Sequence, residues 1–190
     1  MNRKHEIDLI LINPGHRKRA YQSLGDDLAA IEPQIWCGLI AKFIINHGFS
    51  VDIIDANAEN LSLEETVAAI INRNPLLTAV VVYGHNPSAS TQVMPAAGAI
   101  CTALKEQAPE LMSILLGGHV AALPERTLTE EAATFVAGGE GPYTLLDLLQ
   151  ALKSTKSQYN NVRGLWYRDN GEIKSTSPAP LIRALDKEMP

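Results

Sequence analysis

The side chains of this sequence form no constellation that breaks bonds unaided. No Ser-His-Asp set and no pair of acid/base carboxylates is legible, and there is no C-x-x-C, H-E-x-x-H or iron–sulfur ligand run. The chemistry lies in the backbone. Two Gly-rich turns each follow an apolar run: Ile114-Leu115-Leu116-Gly117-Gly118-His119, and Phe135-Val136-Ala137-Gly138-Gly139-Glu140-Gly141. Glycine lets a ligand approach the main chain closely, and in open α/β sheets ligands sit beyond the carboxyl ends of the strands. Two such turns on adjacent units suggest one broad platform for a large cofactor held by backbone and shape.

Other cofactor loops do not fit. A dinucleotide fold needs G-x-G-x-x-G after its first strand, where this chain has Asn13-Pro14-Gly15-His16-Arg17-Lys18. A P-loop is absent. The third strand ends in Tyr83-Gly84-His85 rather than in a phospho-acceptor Asp. A flavodoxin would need a hydroxyl-rich first loop, and apart from Tyr21 the early loop offers only Ser23.

The elements that must position these turns alternate regularly. Ile7 to Ile12 reads as a buried strand ended by Asn13-Pro14-Gly15. A polar segment from 14 to about 31 is longer than most strand-to-helix loops, which favours a functional role. Glu32-Pro33 opens a helix to about His47, closed by Gly48. Ser50 to Asp55 is the second strand. Ser62 with Glu65 makes a capping box for the next helix. Thr78 to Tyr83 is the third strand, followed by a long Ala-rich helix to Gln107. Ser113 to Leu116 and Thr134 to Ala137 are strands four and five, with helices from Pro124 to Glu131 and from Pro142 to about Lys153. This pattern predicts an α/β, doubly wound parallel sheet of flavodoxin-like order 2-1-3-4-5 over residues 1–155. A β-hairpin appendage is expected over 156–177, with Asn170-Gly171 in its turn. Residues 178–190 read as a Pro-rich linker toward a further domain.

Of the 190 residues 46% are apolar and the net charge is −5, a globular balance that disfavours a general nucleic-acid binder. The basic run His16-Arg17-Lys18-Arg19 reads either as a solvated loop or as an anion site. Cys37 and Cys101 fall in predicted helices and suit buried small residues. No signal peptide or membrane span is legible, and a reducing cytoplasm is the expected compartment.

Leu116-Gly117-Gly118-His119, then Pro124-Glu125, then Gly139-Glu140-Gly141 before a Leu-rich helix resembles the cobalamin-binding domain of cobalamin-dependent radical S-adenosylmethionine enzymes. The strand end Leu11-Ile12-Asn13-Pro14 and the junction Pro178-Ala179-Pro180-Leu181-Ile182-Arg183-Ala184-Leu185-Asp186 fit the same pattern. The resemblance covers nearly the whole chain. It implies a base-off cobalamin as ligand. A downstream radical domain on the same polypeptide would hold a 4Fe-4S cluster and S-adenosylmethionine, so this portion would not be catalytic alone.

The resemblance also assigns roles. Gly117 and Gly118 would admit the nucleotide tail, although a plain strand-to-helix turn explains them too. Gly139, Glu140 and Gly141 would form the opposite wall, or serve only as helix-entry chemistry. Tyr83, Gly84, His85, Asn86 and Ser88 would lie under the corrin, with Asn13, Pro14, Gly15 and His16 on the neighbouring loop. His119 would line the tail groove or cap a helix. The motif D-x-H-x-x-G, whose His binds cobalt from below, is absent, and neither His16 nor His85 has an acid nearby in sequence. No histidine is therefore expected to coordinate the metal strongly. The family's G-E-G-E ends here in Pro142, and no C-x-x-x-C-x-x-C is present. The rival reading is a flavodoxin-like module that binds a flavin or nucleotide, or docks a partner.

Overall fold

Alternate residues of each central strand face opposite ways, and here both faces are apolar, so the strands must be covered on both sides. The computed structural model, which describes residues 5–15, 33–84, 87–154 and 158–189, satisfies this with seven strands in one sheet. They are β1 (Ile7–Asn13), β2 (Val51–Asp55), β3 (Pro75–Val82), β4 (Ser113–Gly117), β5 (Phe135–Ala137), β6 (Leu165–Asp169) and β7 (Glu172–Ser175). The spatial order is β2-β1-β3-β4-β5-β6-β7. The first five strands are parallel, in the expected 2-1-3-4-5 order.

On one face Leu9, Leu11, Leu77, Ala79, Val81 and Leu116 pack against α1 (Ile35–Asn46) and α6 (Pro142–Lys153). On the other, Ile10, Ile12, Val80, Val82 and Leu115 meet α2 (Leu63–Arg73), α3 (Pro87–Gln107), α4 (Gly118–Ala122) and α5 (Pro124–Glu130). Cys37 and Cys101 are buried on opposite faces, as their helical placement predicts.

Local signals set several element ends. Ser62 and Glu65 form the full capping box of α2. Gly48 turns the chain at φ +86° after α1. Pro142 occupies the first turn of α6, where no N–H is needed. The short helix α4, which starts directly at Gly118, carries no sequence signal of its own.

The C-terminal segment from β6 onward is more tightly joined to the sheet than an appendage would be. The hairpin is part of the sheet, because β6 pairs antiparallel with β5 through Phe135–Tyr167, Val136–Trp166 and Ala137–Leu165. Arg168 on β6 donates to the carbonyls of Ala133 (3.0 Å), Glu131 and Leu128, capping the end of α5. The segment after the hairpin is docked as well. It ends in a single helical turn, α7 (Leu185–Glu188), with Met189 buried against the face that carries α1 and α6. No described helix is long and apolar enough to cross a membrane.

Candidate functional site

The five parallel strands end at one edge, and the candidate residues that the structure describes gather there. At the β1 end Asn13 is 2% exposed, and its Nδ2 donates to Asp55 Oδ1 at 2.6 Å across the β1–β2 pair. Asp55 Oδ1 also accepts from Ala58 N (2.9 Å), which shapes the turn after β2. Pro14 is buried and Gly15 exposed, and a Cβ at Gly15 would lie 3.2 Å from the Ala56 carbonyl. Asp55 was missed in the sequence because its role depends on strand pairing. His16, His85 and Asn86 lie outside the described residues, as does the basic run.

At the end of β3, Tyr83 stacks under Trp36, with centroids 4.5 Å apart and planes at 20°. Its hydroxyl donates to the Glu140 carbonyl at 3.0 Å. Burial, with the Glu140 charge nearby, pushes the Tyr83 phenol up to about 12, so it remains a neutral donor. Trp36 was not singled out in the sequence, since one aromatic in the first turn of a helix gives no signal by itself. Gly84 is closely packed: a Cβ there would come within 2.5 Å of Ala89 Cβ, and its N–H donates to Ser90 Oγ (3.1 Å). Ser90, 2% exposed, is therefore the inward-facing hydroxyl in the first turn of α3, whereas Ser88 is exposed.

The glycines divide into two groups. Gly117 has φ +142°, and a Cβ on it would sit 2.0 Å from the Val82 carbonyl oxygen. Gly141 has φ +100°, with Leu116 Cδ1 at 2.6 Å from its Cβ position. Both are required by the fold itself. A Cβ on Gly118 would lie 3.2 Å from Ser90 Oγ, so the glycine lets the start of α4 come close to α3. Gly139 has nothing within 4 Å of a Cβ. His119 does not cap α4; its Nδ1 shares a 2.9 Å hydrogen bond with Thr91 Oγ1 of α3.

The second Gly turn is buttressed by the hairpin. Gly138 N donates to Gly164 O (2.8 Å), and a Cβ at Gly138 would strike Trp166 Nε1 at 2.6 Å. Glu140 projects its carboxylate to the C-terminal segment, where Oε2 accepts from Ile182 N at 2.7 Å. Among the described residues no three His, Cys, Asp or Glu side chains cluster as metal ligands. What the edge presents is main chain, one stacked aromatic pair and a few amide and hydroxyl groups.

The B12-binding domain family model matches residues 22–149, well over half of the chain. The chain belongs to the B12-binding domain family. An anaerobic magnesium-protoporphyrin IX monomethyl ester cyclase from Synechocystis is 27% identical to this B12-binding domain over 179 residues, covering 94% of the chain and 34% of the relative. An uncharacterized methyltransferase from Pyrococcus horikoshii is 27% identical over 145 residues, covering 76% and 30%. The B12-binding domain thus spans about a third of the length of these curated relatives. In fold it is similar to the radical S-adenosylmethionine methyltransferase TsrM from Kitasatospora setae, solved with cobalamin and a [4Fe-4S] cluster. The TM-score is 0.68 at 16% identity, covering 93% of this chain and 30% of that one. It is also similar to the cobalamin-dependent S-adenosylmethionine radical enzyme OxsB, with TM-score 0.69 at 18% identity, covering 97% and 24%.

The residues of this B12-binding domain fit a corrinoid. Gly139 leaves open space where any other residue would place a side chain. The buried Asn57 Oδ1, in the turn after β2, has no hydrogen-bond partner and is available to an amide donor.

Proposed function

We propose that this domain carries base-off cobalamin for a longer cobalamin-dependent radical S-adenosylmethionine enzyme. The open space at Gly139, at the end of β5 in a chain of the B12-binding family, carries the reading. A bound corrinoid supplies an organometallic cobalt–carbon bond suited to methyl transfer or related radical chemistry. The protein's part is to hold and orient. Tyr83 and Gly84, with Ser88 in the first turn of α3, would support the corrin ring, with Asn13, Pro14 and Gly15 beside them. Gly117, Gly118 and His119 border the groove for the nucleotide tail, and Gly139 to Gly141 form its opposite wall. No histidine would hold the metal strongly; neither His16 nor His85 has a sequence-adjacent carboxylate to orient its ring.

The domain organisation follows from the same reading. Residues 1–155 hold the cofactor, 156–177 form the hairpin, and 178–190 lead to a radical domain that holds the 4Fe-4S cluster and S-adenosylmethionine. Relatives of which this chain matches only 30% and 34% of the length support that arrangement. A cytoplasmic location, with neither nucleic acid nor membrane as partner, accords with the acidic balance and the free, buried cysteines.

Titration of the purified chain with hydroxocobalamin tests the proposal. A shift to a base-off absorption spectrum at micromolar cofactor is expected. An unchanged spectrum, or binding of flavin mononucleotide in its place, overturns it.

A further inference from the structure

Glu140 joins two parts of the molecule that are distant in sequence. Its carbonyl accepts the Tyr83 hydroxyl at 3.0 Å, and Tyr83 carries the half-exposed Trp36 indole on its ring. Its carboxylate Oε2 accepts the Ile182 N–H at 2.7 Å. Behind Ile182 the segment is tied again. Glu188 Oε1 accepts from Arg183 N (3.1 Å) and Ala184 N (3.0 Å), Glu188 Oε2 accepts from the Tyr143 hydroxyl (2.5 Å), and Met189 is 4% exposed. The exit segment is thus fastened at Ile182 and again through Glu188, with Leu181 left 66% exposed just before the first of these ties.

We propose that Glu140 is a positioning residue that couples occupancy of the aromatic ledge, Trp36 on Tyr83, to the course of the exit segment at Ile182. The inference rests on the cobalamin reading above. A corrinoid resting on Trp36 and Tyr83 restrains the Tyr83 hydroxyl and with it the Glu140 main chain. The same residue's carboxylate then holds Ile182 in place. Coupling of this kind is reciprocal: if cofactor steadies the segment, a steadied segment favours cofactor to the same degree. The segment that leads out of the domain thereby takes a defined path when the ledge is occupied.

Trypsin cleavage after Arg183, one residue beyond the clasp, reads the coupling without any enzymatic activity. In the wild-type chain saturating hydroxocobalamin should slow this cleavage about tenfold, the scale of one hydrogen bond to a charged group. In Glu140→Ala cleavage should be faster without ligand, and the slowing at saturation should be lost. Glu140→Gln keeps an acceptor oxygen and should retain most of it. Ile182→Pro removes the donor from the other side and should behave like Glu140→Ala, which covers the case in which that variant misfolds. Equal protection in Glu140→Ala and wild type, or an unprotected wild type whose spectrum shows bound cofactor, overturns the coupling and leaves the cobalamin reading intact. A wild-type spectrum that never changes overturns both.

Discussion

At the scale of single residues, the glycines of the edge are not equivalent. Gly117 combines φ +142° with a backbone oxygen 2.0 Å from any Cβ, while Gly139 has open space. Gly117→Ala should therefore cost about 3 kcal/mol or more, by strain and displacement of β3. Gly139→Ala should stay within about 0.5 kcal/mol of wild type. Urea denaturation of the two variants checks this, and equal stabilities would refute the distinction. The two cysteines make a second case. Burial, reinforced by Asp55, pushes the Cys37 thiol up to about 12. Burial pushes Cys101 to about 12 as well, against a hydrogen bond with Ser113 and with the Glu131 charge adding to it. Both thiols stay protonated at pH 8, and only the thiolate is nucleophilic. A disulfide reagent should leave the native chain unmodified for hours and titrate two thiols in urea. Prompt reaction of either thiol in native buffer would contradict their burial.

At the scale of elements, one clamp ties the start of β1 to the start of β2 and the end of α6. Asp8 Oδ2 accepts from Ser50 N at 2.9 Å, the Asp8 N–H donates to Ser50 Oγ at 2.9 Å, and Lys153 Nζ lies 2.7 Å from Asp8 Oδ1. Burial pushes the Asp8 carboxyl up, but Lys153 and the Ser50 hydrogen bonds outweigh it and hold it below its ordinary 3.8. A carboxyl with a lowered folded-state value stabilises the fold above 3.8, and that stability is lost as pH falls below it through the folded value. Asp8→Asn should melt lower than wild type at pH 7, and the gap should close as pH falls below about 4. Thermal melts across that range decide it, and a gap that widens in acid would reverse the sign. The clamp lies at the amino end of the strands, away from the ligand edge, so corrinoid binding by a folded Asp8→Asn chain should be unchanged.

At the scale of the whole molecule, the hairpin is structural and also supports the site. β5 is only three residues long, and β6 covers its outer edge. Trp166 of β6 fills the space beside Gly138, and Gly164 holds Gly138 N. A chain ending at residue 164 should expose the edge of β5, which carries Phe135 and Val136, a template for edge-to-edge pairing. Size-exclusion chromatography should show aggregates that the full chain does not form. A monomeric truncation that still binds hydroxocobalamin would show that the hairpin is dispensable.

Local chemistry determined much of this protein. Apolar runs of strand length, bounded by turn residues and separated by helices, require a parallel sheet buried on both faces, and the five-strand order followed. The Ser62 capping box, the turn at Gly48 and the two Gly turns were legible because each is a short-range effect of backbone geometry. The roles of those glycines were not legible. Whether a Cβ meets the Val82 backbone, as at Gly117, or open space, as at Gly139, depends on a neighbour that only the packed sheet brings close. The hairpin's place on β5, the Asn13–Asp55 bond, the Trp36–Tyr83 stack and the two-sided grip of Glu140 join residues far apart in the chain. Sequence periodicity records which face of a strand or helix is buried; it carries no information about which distant side chain is met there, and that pairing was decided by the tertiary structure.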